Sequence, residues 1–165
     1  MAKSTRRKVG WLTTNSASPQ GHYVFHFSGF TRVSRNKRNS NGAPYSIVGL
    51  GHLVFLARGR VIGRQRSTVS AFSGAGPTQQ SDVFDLAGTY SVRADHSGQM
   101  TLYFHKVLRP DTAKETIAKQ PDMTDTFEFV CIDEAKRLRF VSTHSTMLPK
   151  KTAVDELISA EAIKA

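Results

Sequence analysis

The chain has 165 residues, 39% of them hydrophobic and 22% charged, with 23 Lys and Arg against 13 Asp and Glu and a formal net charge of +10. That length fits one domain with a core of its own, and a single cysteine, Cys131, excludes an internal disulfide and fits a reducing compartment. The basic balance attracts anions at long range but carries no specificity.

The N-terminal "MAKSTRRKVGWLTTNSASPQ" begins with basic residues, yet no apolar run of a signal peptide follows, and no stretch reaches the roughly 20 apolar residues of a membrane helix. The expectation is a cytoplasmic protein with no membrane partner. Residues 1–20 read as a flexible basic segment and 21–165 as one domain.

From Gly21 on, seven segments alternate with the two-residue period of half-buried strands. They are "HYVFHFSGF" (22–30), "SIVGLGHLVFL" (46–56), "RVIGRQRSTVSA" (60–71), "SDVFDLAGTYSVR" (81–93), "QMTLYFHKVL" (99–108), "DTFEFVCI" (125–132) and "RLRFVSTH" (137–144). The connectors "ARG", "ADHSG" and "DEAK" are short, which makes the joined strands antiparallel neighbours in a meander. Two connections are longer: "TRVSRNKRNSNGAP", and "RPDTAKETIAKQPDMT", in which residues 111–119 read as a short helical insertion capped by Asp111 or Thr112. In the tail, a helical turn and then a closing strand from about Leu157 to Lys164 would pair with the first strand and remove both sheet edges. The fold expected is all-β: a single antiparallel meander barrel of eight strands.

The succession "FSGF", "GLGHLVF", "GTYSVRADHSGQMTLYF", "TFEFVCID" and "LRFVST" resembles small bacterial barrels of the lipocalin-like, allene-oxide-cyclase-like type. That resemblance spans about residues 22–144 and implies either a ligand carrier or a cofactor-free cyclase, without choosing between them.

Alternation also assigns the two faces. Phe25, Phe27, Leu53, Phe55, Phe84, Leu86, Tyr90, Leu102, Phe104, Phe127, Phe129, Leu138 and Phe140 share one phase, and His26, His52, Asp85, Tyr103, His105, Glu128 and Arg139 the other. Burying the first set is favoured, because a buried Phe or Leu contributes roughly 1.5–3 kcal/mol while an unpaired buried charge costs several. Three outward imidazoles on strands one, two and five do not converge on a metal. Apolar residues on the outward phase, such as Val24, Val48, Leu50 and Val54, suggest a homo-oligomer.

Polar groups on the inward phase are the candidates for chemistry. His144, near a barrel mouth, suits a general acid or base, and Tyr90 and Tyr23 suit proton donation to a carbonyl or enolate. Arg64 and Arg66 would anchor an anionic group, depending on the register after the "ARG" turn. Phe25, Phe27, Phe84, Phe104, Phe129, Cys131, Phe140 and Ser142 would line the ligand space. "SGAGPT" and "GLGHLV" lack the residues of phosphate-binding loops, and no Cys-x-x-Cys, His-Glu-x-x-His or Gly-x-Ser-x-Gly occurs, so no cofactor or metal is expected. The leading functional reading is a cofactor-independent lyase, cyclase or isomerase acting on a hydrophobic, plausibly aromatic, small molecule. The alternatives are a non-catalytic small-molecule binding barrel and, third, a basic nucleic-acid-binding protein, whose charge runs "KSTRRK" and "TRVSRNKRN" sit apart from the core aromatics.

Overall fold

The computed structural model describes residues 18–33, 45–73, 76–148 and 150–165. In chain order the strands are β1 (Gly21–Val33), β2 (Tyr45–Leu56), β3 (Arg60–Ser73), β4 (Gly76–Val92), β5 (Ser97–Leu108), the two-residue β6 (Thr116–Ile117), β7 (Met123–Ile132), β8 (Arg137–Met147) and β9 (Thr152–Lys164). Every pairing is antiparallel, in the order β4-β3-β2-β1-β9-β8-β7-β5, and a β4–β5 pairing completes the ring. Eight strands therefore form a closed barrel in which each has a neighbour on both sides. The closing strand is longer than expected: β9 begins at Thr152 and runs against both β1 and β8.

The phenylalanine phase is inside. Phe25, Phe27, Phe55, Phe104, Phe127, Phe129 and Phe140 are buried in one cluster, with Phe84, Tyr90 and Cys131 packed against it, half buried. Edge-to-face pairs such as Phe127–Phe140 and Phe55–Tyr90 knit the rings together. The alternate glycines of "VGLGH" make room for them. Gly49 and Gly51 stand opposite Phe27 and Phe25 across the β1–β2 ladder, and a Cβ at Gly51 would lie 2.8 Å from the Phe25 ring.

Two sets of connections distinguish the barrel ends. At the turn end are the 3₁₀ turn Ala57–Gly59 and the tight turns at 93–96 and 133–136; at the loop end are the links between β1 and β2, β3 and β4, β5 and β7, and β8 and β9. The turn end is plugged. Pro19 is fully buried, so part of the segment assigned to a flexible N-terminus packs against the domain, while residues 1–17 lie outside the described residues.

Residues 109–122 do not form the expected helix. Arg109 and Asp111 take left-handed backbone angles, and the Thr112 hydroxyl bonds the Arg109 carbonyl while accepting from the Lys114 amide, which diverts the backbone from helical pairing. The segment instead lies as a strap on the outer wall. Arg64 Nε donates to Asp85 (2.6 Å) and its Nη2 to Glu115 (2.8 Å), Arg66 pairs with Asp111, and Thr116–Ile117 adds to β5. Val83 and Val107 are on the outward phase of their strands yet buried, which marks a covered patch of wall.

Candidate functional site

The interior changes character along the barrel axis. At the turn end Tyr23 is completely buried, and its hydroxyl donates to the Ala135 carbonyl at 2.5 Å, closing the 133–136 turn over the barrel. Burial pushes its phenol up to about 12. The Tyr90 hydroxyl donates to the Leu56 carbonyl at 3.0 Å. Both tyrosines hold backbone at the closed end. Cys131 lies in the same region, half buried, and burial raises its thiol, which keeps it in the poorly nucleophilic protonated form.

Toward the loop end the inner wall becomes polar. Gln65, Ser67, Asp125, Ser142 and Ser145 are buried there, and Lys106 pairs with Asp82 at 2.8 Å. Asp125 is only 1% exposed; the Ser145 hydroxyl donates to its Oδ1 at 2.7 Å, but its Oδ2 has no partner. Glu156, on β9, likewise has an unpartnered Oε1. Both carboxyls are pushed upward, Asp125 by burial and then by the charge of Glu156, and Glu156 by burial, with hydrogen bonds from Ser145 opposing the rise. Burial of this kind disfavours the charged form of each carboxyl, and the nearby partner charge disfavours it further.

This pair borders a cavity of about 30 Å³, enclosed mainly by Phe25, Phe27, Phe104, Phe127 and Phe140. The volume matches one water-sized group, so anything with a ring enters only by displacing side chains. Ile47 and Met123 line the same space and are only half buried, and the unbranched methionine is the easier to move.

A bulge sets this arrangement. On β8, Ser142 pairs with Phe127 and His144 with Thr126, so Thr143 is an extra residue, and the β8–β9 ladder is interrupted between Val141 and Ser145. Ser142 patches the opening: its hydroxyl accepts from the Ile158 amide at 3.0 Å and donates to the Glu156 carbonyl at 3.5 Å. Beyond the bulge the inward phase passes to Ser145.

Three expected site residues are misplaced by the two-residue count, one because of the bulge and two because of the β2–β3 register. His144 is exposed on the outer wall, 3.2 Å from the Thr146 hydroxyl, because the bulge reverses the alternation just before it. Arg64 and Arg66 also face outward: Phe55 pairs with Val61, so the inward residues of β3 are Val61, Gly63, Gln65 and Ser67. Their guanidiniums fasten the strap. Of the expected ligand-lining residues, Phe25, Phe27, Phe104 and Phe140 reach the cavity; Phe84, Phe129 and Cys131 belong to the surrounding core, and Ser142 is spent on the bulge.

Asp125 and Glu156 escaped the sequence reading, although a signal was present. Asp125 shares the phase of Phe127 and Phe129, and Glu156 that of Ile158, Ala160 and Ala162; a carboxylate on an apolar phase is anomalous. Outside, His26 and His52 are exposed, and His105 donates from Nδ1 to the Ala118 carbonyl of the strap at 3.1 Å. Among the described residues no helix is long and apolar enough to cross a membrane. The "KSTRRK" run and most of "TRVSRNKRN" lie outside the described residues. No protein-family model matches this chain, and no curated protein matches it.

Proposed function

We propose that the barrel is a cofactor-independent proton-transfer catalyst, an isomerase, cyclase or lyase, which admits a hydrophobic small molecule from the loop end and acts on it through Asp125 and Glu156. The observation that carries this reading is the buried pair itself: two carboxyls with raised proton affinities, each with an unpartnered oxygen, beside a phenylalanine-lined cavity. General acid–base catalysis works best with proton affinities near the working pH, and burial has moved both groups toward neutrality. In the proposed cycle the ionised carboxylate takes a proton from a carbon acid and the protonated partner delivers one to the other end of the substrate. Atoms and charge balance without a cofactor. Ser145 fixes the Asp125 carboxyl through its hydrogen bond.

The test uses two aryl probes in deuterated water, neutral 1-phenylpropan-2-one and cationic 1-methyl-3,4-dihydroisoquinolinium. Protein-dependent deuterium uptake beside the C=O or C=N bond, lost in Glu156→Gln, supports the reading. Exchange no faster than in buffer for both probes refutes catalysis. The second reading, a non-catalytic binding barrel, is favoured by the tyrosines, whose hydroxyls are committed to backbone carbonyls and leave few interior groups for chemistry. A second copy of the chain is the proposed partner of the outer β2-β1-β9 wall. There exposed Phe30, Val48 and Leu157 surround Ser28 and Ser159, and the absence of charge among these five residues spares two +10 chains local repulsion. Light scattering checks it, and a monomer at all concentrations excludes it.

A further inference from the structure

We propose that the Asp125–Glu156 pair is a binding site for a protonated amine, an ammonium group carried on a compact apolar or aryl body. This inference rests on the loop-end cavity being the ligand site, and it names the ligand's chemical class. Three observations converge on it.

The first is unmatched charge. Two carboxyl oxygens, Asp125 Oδ2 and Glu156 Oε1, have no partner, and no basic side chain lines the cavity among the described residues. Beside the ionised pair an anionic ligand would meet like charge in a poorly screened interior, and a neutral alcohol, with its single O–H, would satisfy one oxygen and neutralise neither charge. An ammonium group carries several N–H donors and the opposite charge, so its chemistry suits two orphan oxygens on one cavity wall. The second is the surround: the rings of Phe25, Phe27, Phe104, Phe127 and Phe140 line the space, accept an apolar body and offer a cation the quadrupole of any face turned toward it.

The third is the identity of the competitor. With no cation beside it, a buried carboxyl pair lowers its charge by holding a proton, and an ammonium group can take over that proton's place. Binding should therefore release a proton and strengthen as pH rises. On β1, Phe27 lines the same cavity and Thr31 stands opposite Glu156. Leu102 on β5, Phe127 on β7, Ser145 on β8, Gln65 on β3 and Ile47 on β2 do not titrate in this range. Among the described residues, the remaining charged groups on the inward phase near the loop end, Lys106 and Asp82, are paired with each other. Tyr23, Tyr90 and Cys131 belong to the turn end.

The experiment is calorimetric titration of the full chain with 2-phenylethylammonium, neutral 2-phenylethanol and anionic 3-phenylpropanoate. The expected order is ammonium tightest, with the alcohol and the carboxylate each at least about tenfold weaker, a difference of roughly 1.4 kcal/mol. Ammonium affinity should rise at least about tenfold from about pH 6 to about pH 8.5, and buffers of different ionisation enthalpy should report close to one proton released. Glu156→Gln should abolish the preference for ammonium over alcohol. Should that variant not fold, proton release by the wild-type chain decides the matter. Equal or tighter binding of the alcohol, a pH-independent ammonium affinity, or no binding of the ammonium at millimolar concentration overturns the proposal. Ammonium binding without deuterium exchange would refute catalysis and keep this site; exchange on the neutral ketone without ammonium binding would do the reverse.

Discussion

Asp125→Asn tests the energetics of the interior directly. The folded-state carboxyl is raised from an ordinary 3.8 to about 8, chiefly by burial and secondarily by Glu156. A raised folded value means that the native state holds a proton the unfolded chain has released. The stabilising contribution is therefore full below about pH 4 and is lost as pH climbs toward 8. At about 1.4 kcal/mol per pH unit of displacement, and with part of the coupling shared with Glu156, the loss is on the order of a few kcal/mol. Asparagine keeps an oxygen to accept from Ser145 but cannot ionise. Urea unfolding followed by far-ultraviolet circular dichroism from about pH 5 to 8.5 should show wild-type stability falling with pH and a distinctly shallower fall in the variant. Adding Glu156→Gln should flatten the curve further. Parallel curves for wild type and Asp125→Asn would show that this carboxyl is ionised in the folded barrel, and the argument for a neutral-pH acid–base pair would fail.

Other consequences are more local. Tyr23→Phe leaves the Ala135 carbonyl without its donor in a buried turn, and equilibrium unfolding should register a loss of about 1–3 kcal/mol. Gly51→Ala places a methyl group against the Phe25 ring and the neighbouring strand backbone; a loss of about 1–3 kcal/mol is expected by the same measurement, and an unchanged midpoint would contradict the close packing described. Arg64→Ala removes two partly exposed ion pairs and should cost less than about 1 kcal/mol overall, because solvent screens them. Amide exchange at Ala118, which bonds the Lys106 carbonyl, should nevertheless quicken as the strap loosens. Cys131, raised by burial, should react with a thiol reagent at about pH 8 more slowly than free cysteine, and unfolding in urea should remove the difference.

The barrel was legible in the residues because a closed meander repeats one simple rule. Alternation in "HYVFHFSGF" or "QMTLYFHKVL" states which side chains are apolar, and short turns state which strands are neighbours. Closure followed from the energetic cost of two open edges, and β9 supplies it. The strap was not legible, since its course depends on Arg64 and Arg66 reaching Glu115 and Asp111 from a strand some fifty residues away in sequence.

The site divides along the same line. Sequence alone determined that phenylalanines face a common interior and that His26, His52 and His105 face away from it, because that assignment is set by local period and burial energy. Only the tertiary structure decided where the period breaks. One extra residue at Thr143 exchanges His144 for Ser145 on the inner wall, and pairing of Phe55 with Val61 turns Arg64 and Arg66 outward. Asp125 and Glu156, about thirty residues apart in the chain, come to line one cavity only when β9 closes the ring beside β8. Periodicity is a property of single strands, whereas a bulge and a pair of neighbouring buried carboxyls arise between strands, from pairings that no one segment encodes.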